Sequence, residues 1–154
     1  MAMTDLPIRL AAEDDYEWFA GLMAANDPWR VYGCTYEYVR KRLDWSGSGL
    51  FVAGDRAGGM LAHERGFLGA PYIATLLVAQ EHRNQGVGTQ LLRFAEKVFA
   101  GQRQMFICAS AFNQGAQRLY LRYGFEQVGV LPDLVADGFN EVLLRKRLRA
   151  EVSS

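Results

Sequence analysis

The amino-acid sequence predicts one mixed α/β domain in which strands and helices alternate along the chain. The chain has 154 residues, of which 50% are hydrophobic and 22% are charged, the size and balance of one globular domain. Short apolar runs typical of strands alternate with segments whose apolar residues recur at helical spacing. No repeat, low-complexity tract or linker divides the chain. We therefore expect a single domain over residues 1–154.

The charge balance and the cysteine content exclude several classes of protein. The 17 basic and 17 acidic residues cancel, which argues against binding nucleic acid through bulk charge. Cys34 and Cys108 form no CxxC pair, and His63 and His82 do not stand at zinc-ligand spacing. The longest apolar run, residues 72–79, is far shorter than the roughly 18 residues that a membrane span needs. We expect a cytoplasmic protein with reduced thiols that binds no metal, nucleic acid or membrane.

The first half of the chain predicts a strand, two helices and a hairpin. A short apolar run at residues 7–10 predicts the first strand. The carboxylates of residues 13–15 suit the positive end of a helix that continues to about residue 24. Thr35 suits the N-cap of a second helix that ends near residue 43. Two apolar runs joined by a glycine-containing turn predict the hairpin, at residues 50–53 and 59–67.

The second half predicts two units of strand, turn and helix, followed by two strands. The nearly continuous apolar run at residues 72–79 predicts a strand that is covered on both faces. Apolar residues at helical spacing predict a helix over residues 86–100, namely Val87, Leu91, Phe94 and Val98. A strand at residues 105–109 precedes a short helix that stops at Gly124. The last two strands are predicted at residues 125–131 and 139–148.

The turn between the fourth strand and the third helix carries the first functional signal. It reads Arg83-Asn84-Gln85-Gly86-Val87-Gly88-Thr89. Two glycines let the backbone approach an anion closely, and the unpaired N–H groups of a first helical turn would point at it. The turn lacks the Lys-Ser/Thr ending of a P-loop and the third glycine of a dinucleotide fingerprint. By itself it predicts an anion-binding turn, with a turn that holds no ligand as the alternative.

A second motif follows the next strand and identifies a family resemblance. It reads Asn113-Gln114-Gly115-Ala116-Gln117-Arg118-Leu119-Tyr120-Leu121-Arg122-Tyr123-Gly124-Phe125. The two motifs together resemble the GNAT superfamily of N-acetyltransferases, whose members carry Q/R-x-x-G-x-G/A after the fourth strand and NxxAxxLYxxxGF after the fifth. Arg83, Gly86 and Gly88 match the first pattern. The second is matched by Asn113, Ala116, Leu119, Tyr120, Gly124 and Phe125.

The resemblance covers roughly residues 49–148 and implies a fold and a cosubstrate. The implied fold is the GNAT-like acyl-CoA N-acyltransferase fold, a central mixed, mostly antiparallel sheet of six to seven strands flanked by about four helices. In the family, acetyl-CoA lies in a V-shaped split between the fourth and fifth strands, and no metal is involved. Carried over to this chain, the cofactor-binding residues are Leu76, Leu77, Val78, Arg83, Asn84, Gln85, Gly86, Val87, Gly88, Thr89, Asn113 and Tyr120. Arg83 would either bind phosphate or brace the turn.

Acetyl transfer needs a neutral amine, a stabilised oxyanion and a proton for the departing thiolate. The resemblance implies Tyr120 as the general acid. A phenol with a pKa near 10 can give its proton to an alkyl thiolate of similar basicity. The alternative is that Tyr120 is only an aromatic residue of the core. A backbone N–H near Val78 would hold the oxyanion. No acid stands on the fourth strand, and Cys108, which we expect to pack in the sheet, occupies the fifth-strand acid position. Glu64 is the best side-chain candidate for the base, with ordered water as the alternative.

The acceptor site is expected in the variable loops at residues 25–34 and 131–138. Trp29, Tyr32 and Asp133 are the candidate substrate-binding residues, because aromatic and acidic side chains suit an ammonium group. The alternative is that Trp29 packs the helix junction and Asp133 lies on the surface. Small primary amines and peptide N-termini both remain open as acceptors.

The sequence therefore predicts an acetyl-CoA-dependent N-acetyltransferase in which the amine attacks the thioester directly. Two alternatives stay open: a CoA-binding sensor or regulatory domain without turnover, and an acyltransferase that uses another acyl-CoA. The basic residues near the C-terminal end are interpreted as a solvated edge and not as a nucleic-acid site; they are Arg145, Lys146, Arg147 and Arg149. The exposed edges of the sheet and the last strand, residues 139–148, could support a homodimer.

Overall fold

The computed structural model describes residues 5–148 and contains one seven-stranded sheet with helices on both faces. The strands are β1 Ile8–Leu10, β2 Ser48–Ala53, β3 Gly58–Phe67, β4 Ala70–Val78, β5 Gln104–Ser110, β6 Glu126–Pro132 and β7 Asn140–Arg147. The helices are α1 Glu13–Ala24, α2 Tyr36–Arg42, α3 Val87–Val98 and α4 Gln114–Tyr123. The predicted fold class is confirmed, and a short 3-10 turn at Gln80–His82 is added.

The strand order is β1-β2-β3-β4-β5-β7-β6, and β4 and β5 are the one parallel pair of neighbours among the described residues. The last strand is not an edge strand, because β7 lies between β5 and β6. After β5 the chain forms α4 and then β6, which leaves space for one strand between β5 and β6. β7 then occupies that space. Pairing on both sides buries Val142, Leu143 and Leu144, which explains why this segment is so apolar.

Strands β4 and β5 pair only at their beginnings and then diverge. The parallel register joins Tyr72 to Phe106 and Ile73 to Ile107 and goes no further. On its other side β4 stays paired with β3 as far as Val78 opposite Gly58. One edge of the second half of β4 is therefore left without a strand partner, and the sheet opens into the V-shaped split that the resemblance implied.

The sheet has a separate apolar cluster on each face because successive strand residues point to opposite sides. On β3, Met60 packs in the cluster that contains Leu91 of α3, whereas Leu61 packs in the cluster that contains Phe19 of α1. Phe19, Met60 and Leu91 are fully buried, and burial of each such side chain contributes about 1.5–3 kcal/mol relative to exposure. Helices α1 and α2 thus cover one face, and α3 and α4 cover the other.

A buried carboxylate fixes the start of α1. Asp15 is 2% exposed, accepts a hydrogen bond from the Ala12 backbone N–H at 2.8 Å, and pairs with Arg9 at 2.6 Å and Arg56 at 3.0 Å. The hydrogen bond from Arg9, with smaller contributions from Ala12 and Arg56, holds the pKa of Asp15 well below its usual range. The predicted acidic helix start is therefore also the ion pair that joins α1 to β1.

The basic residues of β7 are paired with acids of neighbouring elements. Arg145 and Arg147 reach Glu126 on β6 at 2.8 and 3.7 Å, and Lys146 reaches Glu96 on α3 at 3.3 Å. Arg149 lies outside the described residues. Within residues 5–148, no helix has both the length and the apolar character needed to cross a membrane.

Candidate active site

The split between β4 and β5 opens into a cleft of about 670 Å³. Its walls are the end of β4, the turn before α3, and the first residues of α4. Most of the residues predicted to bind a cofactor line this cleft: Leu76, Leu77, Val78, Arg83, Asn84, Gly86, Val87, Gly88, Thr89, Asn113 and Tyr120. Gln85 does not line it, since its side chain donates to the Glu81 carbonyl at 3.4 Å instead.

Unpaired backbone groups of β4 face this cleft. The Ala79 N–H donates to the Ala57 carbonyl at 2.9 Å, on the side of β3. Because backbone groups alternate along a strand, the N–H groups of Leu76 and Val78 point to the opposite side, into the split. The edge of β4 therefore offers donors and acceptors to an extended, amide-containing ligand.

The turn before α3 presents the N-terminus of a 12-residue helix to the cleft. Asn84 and Gly86 both have positive φ, at 61° and 81°, which turns the backbone sharply into the helix. The N–H groups of the first helical turn have no partner within the helix and carry the positive end of its dipole. Gly88 allows α4 to approach, because a Cβ there would lie 2.9 Å from Leu119 Cδ2. This arrangement suits an anionic ligand.

Arg83 braces the turn in this structure. Its Nη2 donates to Asn26 Oδ1 at 2.7 Å, and its Nε donates to the Val78 carbonyl at 3.3 Å. These bonds tie the loop after α1 to the end of β4. Asn113 has a similar local role at α4, where its Oδ1 caps the helix by accepting from the Ala116 N–H at 3.2 Å.

A second cavity, of about 260 Å³, lies beside the cleft and forms the candidate acceptor site. The two predicted loops both reach it: Trp29 and Tyr32 line it from one, and Leu134 and Val135 from the other. Asp133 does not line it. Its Oδ1 accepts a hydrogen bond from the Gly138 N–H at 2.6 Å and so closes its own loop. The structure therefore gives Asp133 a local conformational role instead of the expected contact with substrate.

Glu141 is the buried acid of this cavity, and the sequence reasoning missed it. It is 5% exposed and stands on β7 directly opposite Ser110 of β5. Tyr32 donates to its Oε2 through a short hydrogen bond, and Ser110 donates to the same oxygen at 3.4 Å. Oε1 has no hydrogen-bond partner among residues 5–148. Every side-chain N or O atom there that is fully shielded from solvent does have a partner, so Oε1 is not shielded and is open to the cavity. Burial raises the pKa of Glu141 above its ordinary value, against the opposing effects of Tyr32, Ser110 and Arg42.

Tyr120 stands where the two cavities meet. It is 5% exposed, packs against Phe125 with ring centroids 5.9 Å apart, and its hydroxyl has no hydrogen-bond partner in the described part of the chain. Both cavities are lined by the same residues at this point: Asp27, Leu76, Leu77, Asn113, Ala116 and Tyr120. Burial raises the pKa of Tyr120 above the value near 10 that the sequence reasoning assumed. The hydroxyl therefore holds its proton throughout the physiological range.

Glu64, the expected base, lines neither cavity, whereas Cys108, at the fifth-strand acid position, lines one of them. Glu64 is exposed on β3. Met60 is the residue of β3 that pairs with Leu76, and Glu64 lies four residues beyond Met60, which is about 13 Å along the strand. The expected base is therefore not brought to the site, because β3 continues past the split in the wrong direction. Cys108 does line the acceptor cavity, and burial raises the pKa of its thiol, so it stays protonated. Among the described residues no cluster of three or more His, Cys, Asp or Glu could hold a metal ion.

Comparison with known proteins identifies relatives of this chain. The model of the acetyltransferase (GNAT) family matches residues 10–125. A curated acetyltransferase of Agrobacterium fabrum is 35% identical over 91 residues, 58% of this chain and 64% of that protein, so the match spans less than two thirds of its length. The crystal structure of Arabidopsis thaliana NAA60 in complex with a bisubstrate analogue is similar with a TM-score of 0.76 and 20% identity, covering 94% of this chain and 99% of the other. A GNAT family acetyltransferase from Elizabethkingia anophelis with acetyl-CoA bound gives a TM-score of 0.72 and 18% identity over 93% and 98%.

Proposed function

The chain belongs to the acetyltransferase (GNAT) family, and from that membership we propose that it transfers the acetyl group of acetyl-CoA to a primary amine. The observation that carries the proposal is the meeting of a long cleft and a compact acid-containing cavity at Tyr120. A thioester in the cleft and an amine in the cavity would come together at that wall. The acceptor would be a small-molecule or peptide amine, and the chain would act as a single catalytic domain.

Acetyl-CoA fits the cleft in chemistry and in shape. The Val78 N–H and the Leu76 carbonyl, both directed into the split, suit the amides of a pantetheine arm, and the amides at the start of α3 suit a pyrophosphate. Several fixed N–H groups can bind an anion without a lysine, because each bond to a charged oxygen is stronger than a neutral one. The structure of the Elizabethkingia anophelis relative has acetyl-CoA bound, in agreement with this assignment.

Glu141 would remove the proton that an ammonium substrate carries. Its free Oε1 would accept a hydrogen bond from the ammonium group, while Tyr32 and Ser110 hold Oε2 in place. A buried carboxylate with a raised pKa is a better base near neutral pH than an exposed one. The neutral amine would then attack the thioester carbonyl carbon.

Leu76 and Tyr120 would complete the transfer. The Leu76 N–H is near Val78 on the open edge of β4 and lies where the two cavities meet, so it would donate to the carbonyl oxygen as it gains charge. As the C–N bond forms and the C–S bond breaks, the Tyr120 hydroxyl would give its proton to the departing sulfur. Tyr120 would recover a proton from the attacking nitrogen, and Glu141 would release the ammonium proton to solvent, so that the products are an amide, a free thiol and one proton.

The alternative of a CoA-binding sensor rested on a missing strand acid. Glu141 supplies an acid from a different strand, which removes the argument for that alternative. The use of a longer acyl-CoA is distinguished by comparing acetyl-CoA with longer thioesters in the transfer assay. We retain the cytoplasm as the compartment, supported by the free thiols of Cys34 and Cys108, and a homodimer through the edge strand β1 or β6.

The test combines ligand binding with transfer. A ligand at 100 times its dissociation constant stabilises a fold by about 2.7 kcal/mol, which raises the Tm of a domain of this size by about 5–11 °C. We expect that shift with acetyl-CoA and CoA and a much smaller one with ATP. Release of free thiol from acetyl-CoA in the presence of primary amines then measures turnover. No Tm shift at saturating acetyl-CoA would refute the proposed function.

A further inference from the structure

The acceptor cavity contains a carboxylate and a cation that are both available to a ligand. Its charged lining residues, among those described, are Asp27, Arg42 and Glu141. Asp27 is engaged by Arg30, with Nε to Oδ1 at 3.1 Å. Arg42 is thus the one cation in the described lining, and it faces a cavity that already holds a buried carboxylate.

Arg42 is held in position without an acidic partner. Its guanidinium lies over the ring of Trp29 at 5.1 Å and over the ring of Tyr38 at 5.8 Å, and Nη1 is 3.5 Å from the Tyr38 hydroxyl. No carboxylate of residues 5–148 forms an ion pair with it, whereas Arg40 on the same helix pairs with Asp44 at 2.8 Å. Stacking on rings fixes the plane of a guanidinium and leaves its forked donors free for a carboxylate.

The position of Arg42 also separates it from the cofactor. Arg42 does not line the cleft, so its charge is not placed to bind the phosphates of acetyl-CoA. It lies on the boundary between the acceptor cavity and an adjoining groove of about 390 Å³, which share Arg42, Tyr72, Ala74 and Thr75. A ligand with its ammonium group at Glu141 and an anionic group at Arg42 would satisfy both charges, and the groove leaves room for a side chain.

We propose that Arg42 binds a carboxylate of the acceptor, so that the substrate is a free amino acid. This inference rests on the proposed acetyl transfer and names its acceptor class. A simple amine, or a peptide N-terminus whose neighbouring carboxyl group is an amide, would leave the guanidinium without its partner. A compact zwitterion also suits the size of a cavity of about 260 Å³.

The experiment measures kcat/KM for free amino acids and for matched amines without the carboxylate charge. The panel contains the twenty L-amino acids, β-alanine and 4-aminobutyrate. Each amino acid that reacts is compared with its methyl ester, its amide and its decarboxylated amine. Because Arg42 is exposed, solvent screens the ion pair that it forms. We therefore expect the free amino acid to exceed its derivatives in kcat/KM by about 2- to 5-fold.

Variants assign the preference to Arg42. We expect Arg42→Gln to lower kcat/KM for the amino acid, mainly through KM, and to bring its ratio to the methyl ester close to one. Arg42→Lys should restore part of the ratio. Arg40→Gln is the matched control, because Arg40 lies on the same helix over the Tyr16 ring at 5.3 Å and lines neither the cavity nor the groove; it should keep the wild-type ratio.

The outcomes separate this inference from the proposed function. If esters, amides or plain amines react as well as the amino acids, or if no amino acid reacts while another amine does, the inference is wrong and acetyl transfer stands. A wild-type ratio in Arg42→Gln also overturns it. If acetyl-CoA does not bind and no amine is acetylated, the proposed function itself fails.

Discussion

Replacing Gly86 by alanine tests the proposed pyrophosphate site without requiring that the amine be known. Gly86 has a φ of 81° at the N-cap of α3, and a Cβ built there meets no protein atom within 4 Å. The substitution therefore costs backbone strain of about 1–2 kcal/mol, and its methyl group lies at the wall of the cofactor cleft. Displacing an oxygen from one charged hydrogen bond costs about 1.5–3 kcal/mol, or a 10- to 150-fold rise in the acetyl-CoA Kd.

Gly69 provides a matched control for the strain. It also has a φ of 81° and no neighbour within 4 Å of a Cβ, but it lies in the β3–β4 turn and not in the cleft. We expect both variants to lose about 2–8 °C in Tm, and only Gly86→Ala to lose affinity in calorimetric titration with acetyl-CoA. Wild-type affinity in Gly86→Ala, or an equal loss in both variants, would show that the pyrophosphate does not bind at this turn.

Three further variants test the chemistry and the fold. Tyr120→Phe should lower kcat about 10²- to 10⁴-fold with little change in the acetyl-CoA Kd, whereas Tyr123→Phe on the same helix should keep the wild-type kcat. In the wild type, kcat/KM should rise with pH as Glu141 ionises, and the midpoint should lie above the usual carboxyl pKa. Glu141→Gln should abolish this rise, and an unchanged pH profile would remove Glu141 as the base. Asp15→Asn should lower the free energy of unfolding by about 2 kcal/mol at pH 7. This is less than the loss from breaking a fully buried ion pair, because both arginines are partly exposed. Since folding depresses the pKa of Asp15, this stabilisation exists above pH 4 and is lost as pH falls further, so the two urea-unfolding free energies should converge in acid.

The proposed cofactor side of the site has a geometry that could be predicted from sequence, because it is built from contiguous segments. One turn carries the glycines that shape it and the amides that begin α3, and both are set within a few residues. The positive φ of Gly86 is a local requirement that the sequence expresses as glycine. Asn113 is likewise recognisable as a helix cap, since the bond it makes is to a residue three positions later.

The acceptor side could not be predicted in the same way, because its residues come from distant parts of the chain. Glu141 and Tyr32 are 109 positions apart and touch through one hydrogen bond. Glu64 was preferred as the base because it lies on a strand next to the cofactor strand, but neighbouring strands extend past each other. The available signal for Glu141 was one acid directly before the apolar run 142–144, and the strand order was needed to interpret it.

The sequence by itself determined the strands and helices, the glycine-containing turn before α3 and the helix cap, because periodicity, glycine conformation and capping act over a few residues. Only the tertiary structure decided that β7 enters the sheet between β5 and β6, and so places Glu141 opposite Ser110 and beside Tyr32. It also decided that Arg42 faces the same cavity. These placements depend on which strand pairs with β5. That choice is made among pairings of strands far apart in the sequence, so no short stretch of the chain determines it.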